Sequence, residues 1–235
     1  LDFFMSDCLD ATRLGVVVGM TAEARLLGSV GCAIAVGGGT PIGARRMAQK
    51  LVQDGASALL SFGLAGGLDP ALVAGTLVVP RAVLSHQGRM FDCDDRLSAP
   101  LAGERITCLL AADAVVATAS DKARMWQETG AGAVDLESGA VAEVAAAAGI
   151  PFAVMRAVCD PASRTLPSAA MEALDEHGRI SGLRIAGVLA RHPWQILGLI
   201  ALGRDAARAR RALVGGAERL GRLAAGDPNL GRLCL

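Results

Sequence analysis

Phe152-Ala-Val-Met-Arg-Ala-Val-Cys-Asp160 is the stretch on which the fold turns. Pro151 precedes it, apolar side chains fill it, and an acid ends it. A run this short and this apolar predicts a buried strand, Phe152 to Val158, with both faces covered. Immediately upstream, Ser138 to Ala148 has helical composition and leads into Pro151. The same alternation holds further out. Leu14 to Met20 and Cys32 to Val36 are Val-rich and end at Gly, and Ala58 to Phe62 stops at Gly63. Ile42 to Asp54 is helical in composition between the second and third of these runs. Thr76 to Val79 and Val83 to Leu84 read as strand broken by Pro80, which a central ladder tolerates poorly. Cys108 to Ala111 and Ala114 to Thr118 complete the set. Alternating strands and helices predict an α/β protein, a three-layer αβα sandwich around a central mixed, twisted sheet.

Composition sets the bounds on this reading. The chain has 235 residues, 52% of them hydrophobic and 20% charged, which suffices for a sizeable core and suits one domain spanning 1–235. The 23 basic and 23 acidic residues cancel, so no overall field draws nucleic acid. The six cysteines show no CxxC or Cys/His ligand spacing, which fits a reduced cytoplasmic protein without structural metal. Leu1 to Asp10 has no basic segment followed by a long apolar one and is not expected to be an export signal.

From Ser168 to Leu223 the pattern is helical, broken at His192 and Pro193, and reads as a C-terminal extension over about 168–225. Trp194 to Gly203 is nearly all apolar but only half the roughly 20 residues that a bilayer span needs. Arg204, Arg208, Arg210 and Arg211 follow. Trp194 to Val214 is therefore expected to pack on the domain or a second subunit, with peripheral contact at the inner membrane as the alternative.

Three segments place acids at strand ends, where ligands of α/β sheets gather. Asp160 closes its apolar strand, where lost solvation would help it keep a proton; otherwise it starts a turn before Pro161. In Ala133-Val-Asp-Leu-Glu-Ser-Gly, Glu137 stands where a strand meets a helix. It could accept both hydroxyls of a ribose, or Asp135 and Glu137 could serve the helix dipole. Glu23, in the first turn after Val16-Val-Val-Gly-Met20, could activate a water or decorate its helix in the same way. A proton donor, a sugar ligand and a water-activating carboxylate together suit the breaking of a base–sugar bond.

Two glycine clusters add a candidate anion site. Gly63-Leu-Ala-Gly66-Gly67 follows a strand and could offer amides to a phosphate, and Gly37-Gly-Gly39 with Gly43, Arg45 and Arg46 could do likewise. Neither matches GxGxxG or the P-loop, which disfavours a dinucleotide-binding oxidoreductase.

Taken in order, Met20 to Glu23, Gly63 to Leu68, Val134-Asp-Leu-Glu137 and Arg156-Ala-Val-Cys-Asp160 resemble the nucleoside phosphorylase/nucleosidase superfamily, methylthioadenosine nucleosidases above all. The resemblance covers residues 14 to 165. It implies Asp160 as the acid that protonates the purine, Glu23 as the water-activating carboxylate and Glu137 as the ribose ligand. It adds Leu136 against the sugar, Met20 at the substrate, and Arg156 orienting a carboxylate or touching phosphate. Gly63, Gly66, Gly67 and Arg45 would hold phosphate. No cofactor is implied beyond inorganic phosphate as co-substrate. The chain departs from the branch at Ser120-Asp-Lys-Ala-Arg124, where no aromatic residue is available to stack on a base. It is also short over Gln87 to Glu104, where the branch has a longer pocket-forming segment. With the apolar, Arg-flanked C-terminal helix and Asp160 to Pro167, these departures look most like the hopanoid-associated phosphorylases. That implies a lipid-linked nucleoside, adenosylhopane, as substrate, phosphorolysis as the reaction, and a homo-oligomer. Hydrolysis of a methylthioadenosine-type nucleoside, and a non-catalytic nucleoside- or lipid-binding protein, are the alternatives.

Overall fold

The computed structural model describes residues 13–28, 30–173, 191 and 195–225. Eight strands form one sheet: β1 (Leu14–Val18), β2 (Ala33–Val36), β3 (Ala58–Gly67), β4 (Leu77–Ser85), β5 (Met90–Asp92), β6 (Glu104–Ala111), β7 (Ala133–Asp135) and β8 (Phe152–Asp160). Their order is β2-β1-β3-β7-β6-β4-β5, and β8 pairs with both β3 and β4. The pairings β1/β2, β1/β3, β3/β8, β4/β6 and β6/β7 are parallel, whereas β3/β7, β4/β5 and β4/β8 are antiparallel. The sheet is thus mixed, as expected, and β3, β7, β6, β4 and β8 pair in a closed circuit.

Alternation along the strands sorts side chains to two faces. Val17, Leu59, Val154 and Val158 join Ala44, Ala48 and Leu51 of α2 (Pro41–Gln53) and Val141 and Ala145 of α5 (Ser138–Ala148) in one core. Val16, Val18, Leu60, Phe62 and Met155 face the other way, onto Ala209, Leu213, Ala217 and Leu220 of the long helix α7 (Ile196–Ala224). These four lie at helical spacing, so α7 buries one stripe along most of its length. The short α1 (Thr21–Ala24), α3 (Asp95–Ser98), α4 (Ala119–Thr129) and α6 (Ser168–Ala173) fill the connections. Local chemistry sets the helix ends. Thr40 caps α2 by accepting from Gly43 N at 3.1 Å, with Pro41 following, and α4 and α5 stop at the left-handed glycines Gly130 and Gly149.

Three expectations need correction. The third strand does not stop at Gly63 but runs on to Gly67, because Gly63 to Gly66 keep pairing with β8 and Gly66 and Gly67 also pair with β7. Pro80 does not break β4. On one side β4 pairs with β6 throughout, and on the other Pro80 falls between the end of the β8 pairing at Val78 and the start of the β5 pairing at Ala82. The missing amide is spared where no ladder asks for it. Ala114 to Thr118 forms no strand and serves as the approach to α4, capped by Thr118. The C-terminal pattern resolves into α6 and α7. Residues 174–190 and Trp194, on which part of that expectation rests, lie outside the described residues. Among the described residues no helix is long and apolar enough to cross a membrane.

Candidate active site

Arg156 is the hub of the site. It enters from β8, is 1% exposed, and its Nη2 donates to Ser61 Oγ at 2.7 Å and Ser138 Oγ at 3.2 Å. The same nitrogen pairs with Asp135 at 2.6 Å and Glu137 at 2.8 Å. Burial works against its charge, but Asp135, Glu137 and Glu23 outweigh that and raise the guanidinium above its ordinary range. Its Nε, also buried, has no partner among the described residues.

The two carboxylates after β7 divide the work that the sequence left open between them. Asp135, the last residue of β7, holds the start of α5, accepting from Ser138 N at 3.1 Å and from its hydroxyl at 2.5 Å. Glu137 makes no capping bond and is free for another role. Its carboxyl lies against Gly19, where any Cβ would overlap Glu137 Oε1. Leu136 is half-buried and packs against the cluster of Leu68, Leu110 and Val134.

Glu23 is held from two sides. Its Oε2 accepts from Met20 N at 2.8 Å and its Oε1 from Leu64 N at 3.0 Å. The second bond follows from the sheet: β1 stops pairing with β3 at Val18 and Phe62, and Glu23 takes the next free amide. Met20, half-buried, opens α1. Glu23 and Arg156 meet over Gly63, where an added Cβ would stand 2.5 Å from Arg156 Nη1 and 2.7 Å from Glu23 Oε1.

Asp160 occupies a second station. A register shift gives β8 one extra residue, Cys159, so that Asp160 pairs with Gly66. Bulges of this kind re-aim a side chain. The carboxylate lies over Gly66, where a Cβ would be 3.3 Å from Oδ2, and meets the ammonium of Lys122 from α4 at 2.5 Å. Leu64 and Gly66, which mark the Glu23 and Asp160 stations, are two residues or about 7 Å of extended chain apart.

The structure therefore gathers Glu23, Glu137 and Arg156 tightly and sets Asp160 further along the same strand. It does not gather the expected phosphate ligands. The Gly63 to Gly67 segment is paired strand rather than an open turn, and its close approaches serve Glu23, Arg156 and Asp160. Arg45 is engaged by Glu143 of α5. Sequence reasoning missed Lys122, one of two lysines in a chain whose other cations are arginines, a choice of residue that was visible there. Among the described residues no group of His, Cys, Asp and Glu is placed to hold a metal ion.

Burial pushes the Glu137 carboxyl up to about 7; Arg156 opposes the shift, while Asp135 and Glu23 reinforce it. The folded protein thus holds this proton more tightly than the unfolded chain, whose ordinary value is 4.5. Stability from this group is full below the unfolded value and is lost as pH rises through about 7. Urea midpoints measured from pH 4.5 upward should fall across that window, and Glu137→Gln should flatten the fall. An unchanged slope in the variant would remove Glu137 as its source.

Comparison with known proteins bears on the fold and on part of the chain. Residues 104–191 match the profile of the Phosphorylase superfamily, a span that includes Lys122, Glu137, Arg156 and Asp160. Similar solved structures include the 5'-methylthioadenosine/S-adenosylhomocysteine nucleosidase of Neisseria meningitidis in complex with methylthio-immucillin-A. It is 18% identical with a TM-score of 0.65, over 90% of this chain and 100% of that one. The chain carries the fold of the nucleoside phosphorylases and nucleosidases. The S-adenosylhomocysteine nucleosidase of Streptococcus pyogenes, in complex with 5-methylthiotubericidin, is 17% identical with a TM-score of 0.62, over 88% of this chain and 96% of that one. The futalosine hydrolase of Helicobacter pylori shares the fold at 17% identity and a TM-score of 0.58, over 63% and 87% of the two chains. No curated protein matches the chain by sequence.

Proposed function

We propose that this protein cleaves the N-glycosidic bond of a purine nucleoside and that water is the attacking group. The observation that carries the reading is the placement of Glu23 and Glu137 around Arg156, with Asp160 about two residues of strand away. In this arrangement Glu137 grips the ribose hydroxyls, Glu23 draws a proton from water, and the Asp160 station serves the departing base. Leu136 and Met20 flank the sugar.

The charge balance supports hydrolysis over phosphorolysis. Around Arg156 stand three acids, Glu23, Asp135 and Glu137, which oppose a second anion near the anomeric carbon. Arg45, the cation expected to offset them, is paired with Glu143.

One observation favours a lipid-linked substrate such as adenosylhopane. The start of α7 exposes Ile196, Leu197 and Ile200, the last two 73% and 45% exposed, just before Arg204. That order suits an apolar tail beside lipid headgroups.

Mass spectrometry of products from methylthioadenosine and from adenosylhopane, each with and without inorganic phosphate, tests these readings together. Adenine release independent of phosphate is expected. A strict need for phosphate would restore phosphorolysis, and no release from either nucleoside would leave a binding protein.

A further inference from the structure

Lys122 is wholly buried, and its ammonium meets four oxygens: Asp160 Oδ2 at 2.5 Å, Arg164 O at 3.0 Å, and the main-chain oxygens of Asp160 and Pro161 at 3.2 Å each. A helical lysine ordinarily keeps its head in water. Here α4 drives it beneath the 160–164 segment instead, four residues after the capping Thr118. The other oxygen of Asp160 accepts the Cys159 thiol at 2.9 Å. Both oxygens of the acid are therefore engaged by donors, and the one buried charge balances the other. The surrounding charges are turned elsewhere: the Arg164 guanidinium pairs with Asp205 of α7, and Asp121 of α4 is held by Thr118 and Arg124. Among the described residues the charged side chain facing Lys122 is Asp160, and the titratable group facing Asp160 besides Lys122 is Cys159.

A purine leaves readily only when a proton reaches its nitrogen. Held against the Lys122 ammonium, the Asp160 carboxylate has beside it a group that can supply one. We propose that Lys122 is the positioning residue of the base-protonating acid and the store of its proton. This inference rests on the nucleosidase reading. The glycosidic C–N bond breaks and its electron pair leaves with the base. A proton crosses from Lys122 Nζ to Asp160 Oδ2 and, once the O–H has turned, from there to the base. Lys122 is left a neutral amine, Asp160 is again a carboxylate, and the base departs neutral. The water that bonds to the anomeric carbon gives one proton to Glu23, which releases it to solvent, and solvent returns one to Lys122.

The test compares a purine riboside with a nitrophenyl riboside, whose leaving group departs as a stable anion and needs no proton. Lys122→Met and Lys122→Arg are expected to lose purine release by about 10²–10⁴-fold, the scale of general acid catalysis, while keeping nitrophenol release near the wild-type rate. Arginine separates charge from proton supply, because it keeps the positive charge but does not give up its proton. Equal losses on both substrates, or wild-type purine release by Lys122→Arg, would overturn the proposal. A readout free of folding effects comes from the unaltered protein. Its purine-release profile should fall at alkaline pH where nitrophenol release does not, and matching profiles would also overturn the proposal. Failure of the unaltered protein to release either group would bring down the nucleosidase reading and this one with it.

Discussion

Replacing Arg156 by methionine should destabilise the protein by about 3–5 kcal/mol, the cost of breaking a buried ion pair by removing one partner. The residue is 1% exposed, and no solvent can take over its role. Methionine fills much of the space but leaves Asp135, Glu137 and Glu23 facing one another without a cation, and leaves the Ser61 hydroxyl without its charged donor. The mutual repulsion should also push the Glu137 carboxyl higher still, since the Arg156 charge is what chiefly opposes the effect of burial there. Equilibrium urea unfolding measures the loss as a lowered midpoint. A change below about 1 kcal/mol, the range of exposed pairs, would mean that water reaches the cluster and the hub is not sealed.

Asp160→Asn should lower purine release by about 10²–10⁴-fold, the usual scale for a general acid. The substitution preserves shape, and the asparagine carbonyl still accepts from Lys122. Stability should fall less than in the Arg156 variant, because the Lys122 ammonium keeps three main-chain oxygens. Steady-state kinetics beside a urea curve separates the two effects. Wild-type turnover in a folded Asp160→Asn protein would show that the carboxyl delivers no proton and would favour a binding role for the fold.

The parts legible in the sequence were those that local pattern controls. Phe152 to Asp160 announced β8 by an apolar run that Arg156 interrupts before the closing acid, and Ser138 to Ala148 announced α5 to the residue. Glu23 and Glu137 were legible as acids at strand ends, since the sheet brings those ends together, whereas Arg156, in the middle of β8, was legible only through the family resemblance. What the pattern hid was pairing. Glycines Gly63 to Gly67 read as a turn because glycine favours turns. Partners on β8 and β7 kept them extended, and their missing side chains made room for Glu23, Arg156 and Asp160. Pro80 misled in the same way, since only the ladder shows which amide goes unused. Arg45 looked available until α5 supplied Glu143, 98 residues away in the chain. The role of Lys122 depends on a contact with Asp160 across 38 residues, and no local window contains it.

The Glu23 and Asp160 stations both take their position from one continuous strand at the centre of the sheet, not from the helices that cover it. Shifts of the covering helices cannot stretch an extended backbone. On the proposed hydrolytic reading, the separation between water attack and base departure is accordingly a built-in gauge. Selection among substrates falls to whatever hangs from the far side of the sugar, where no strand sets the measure.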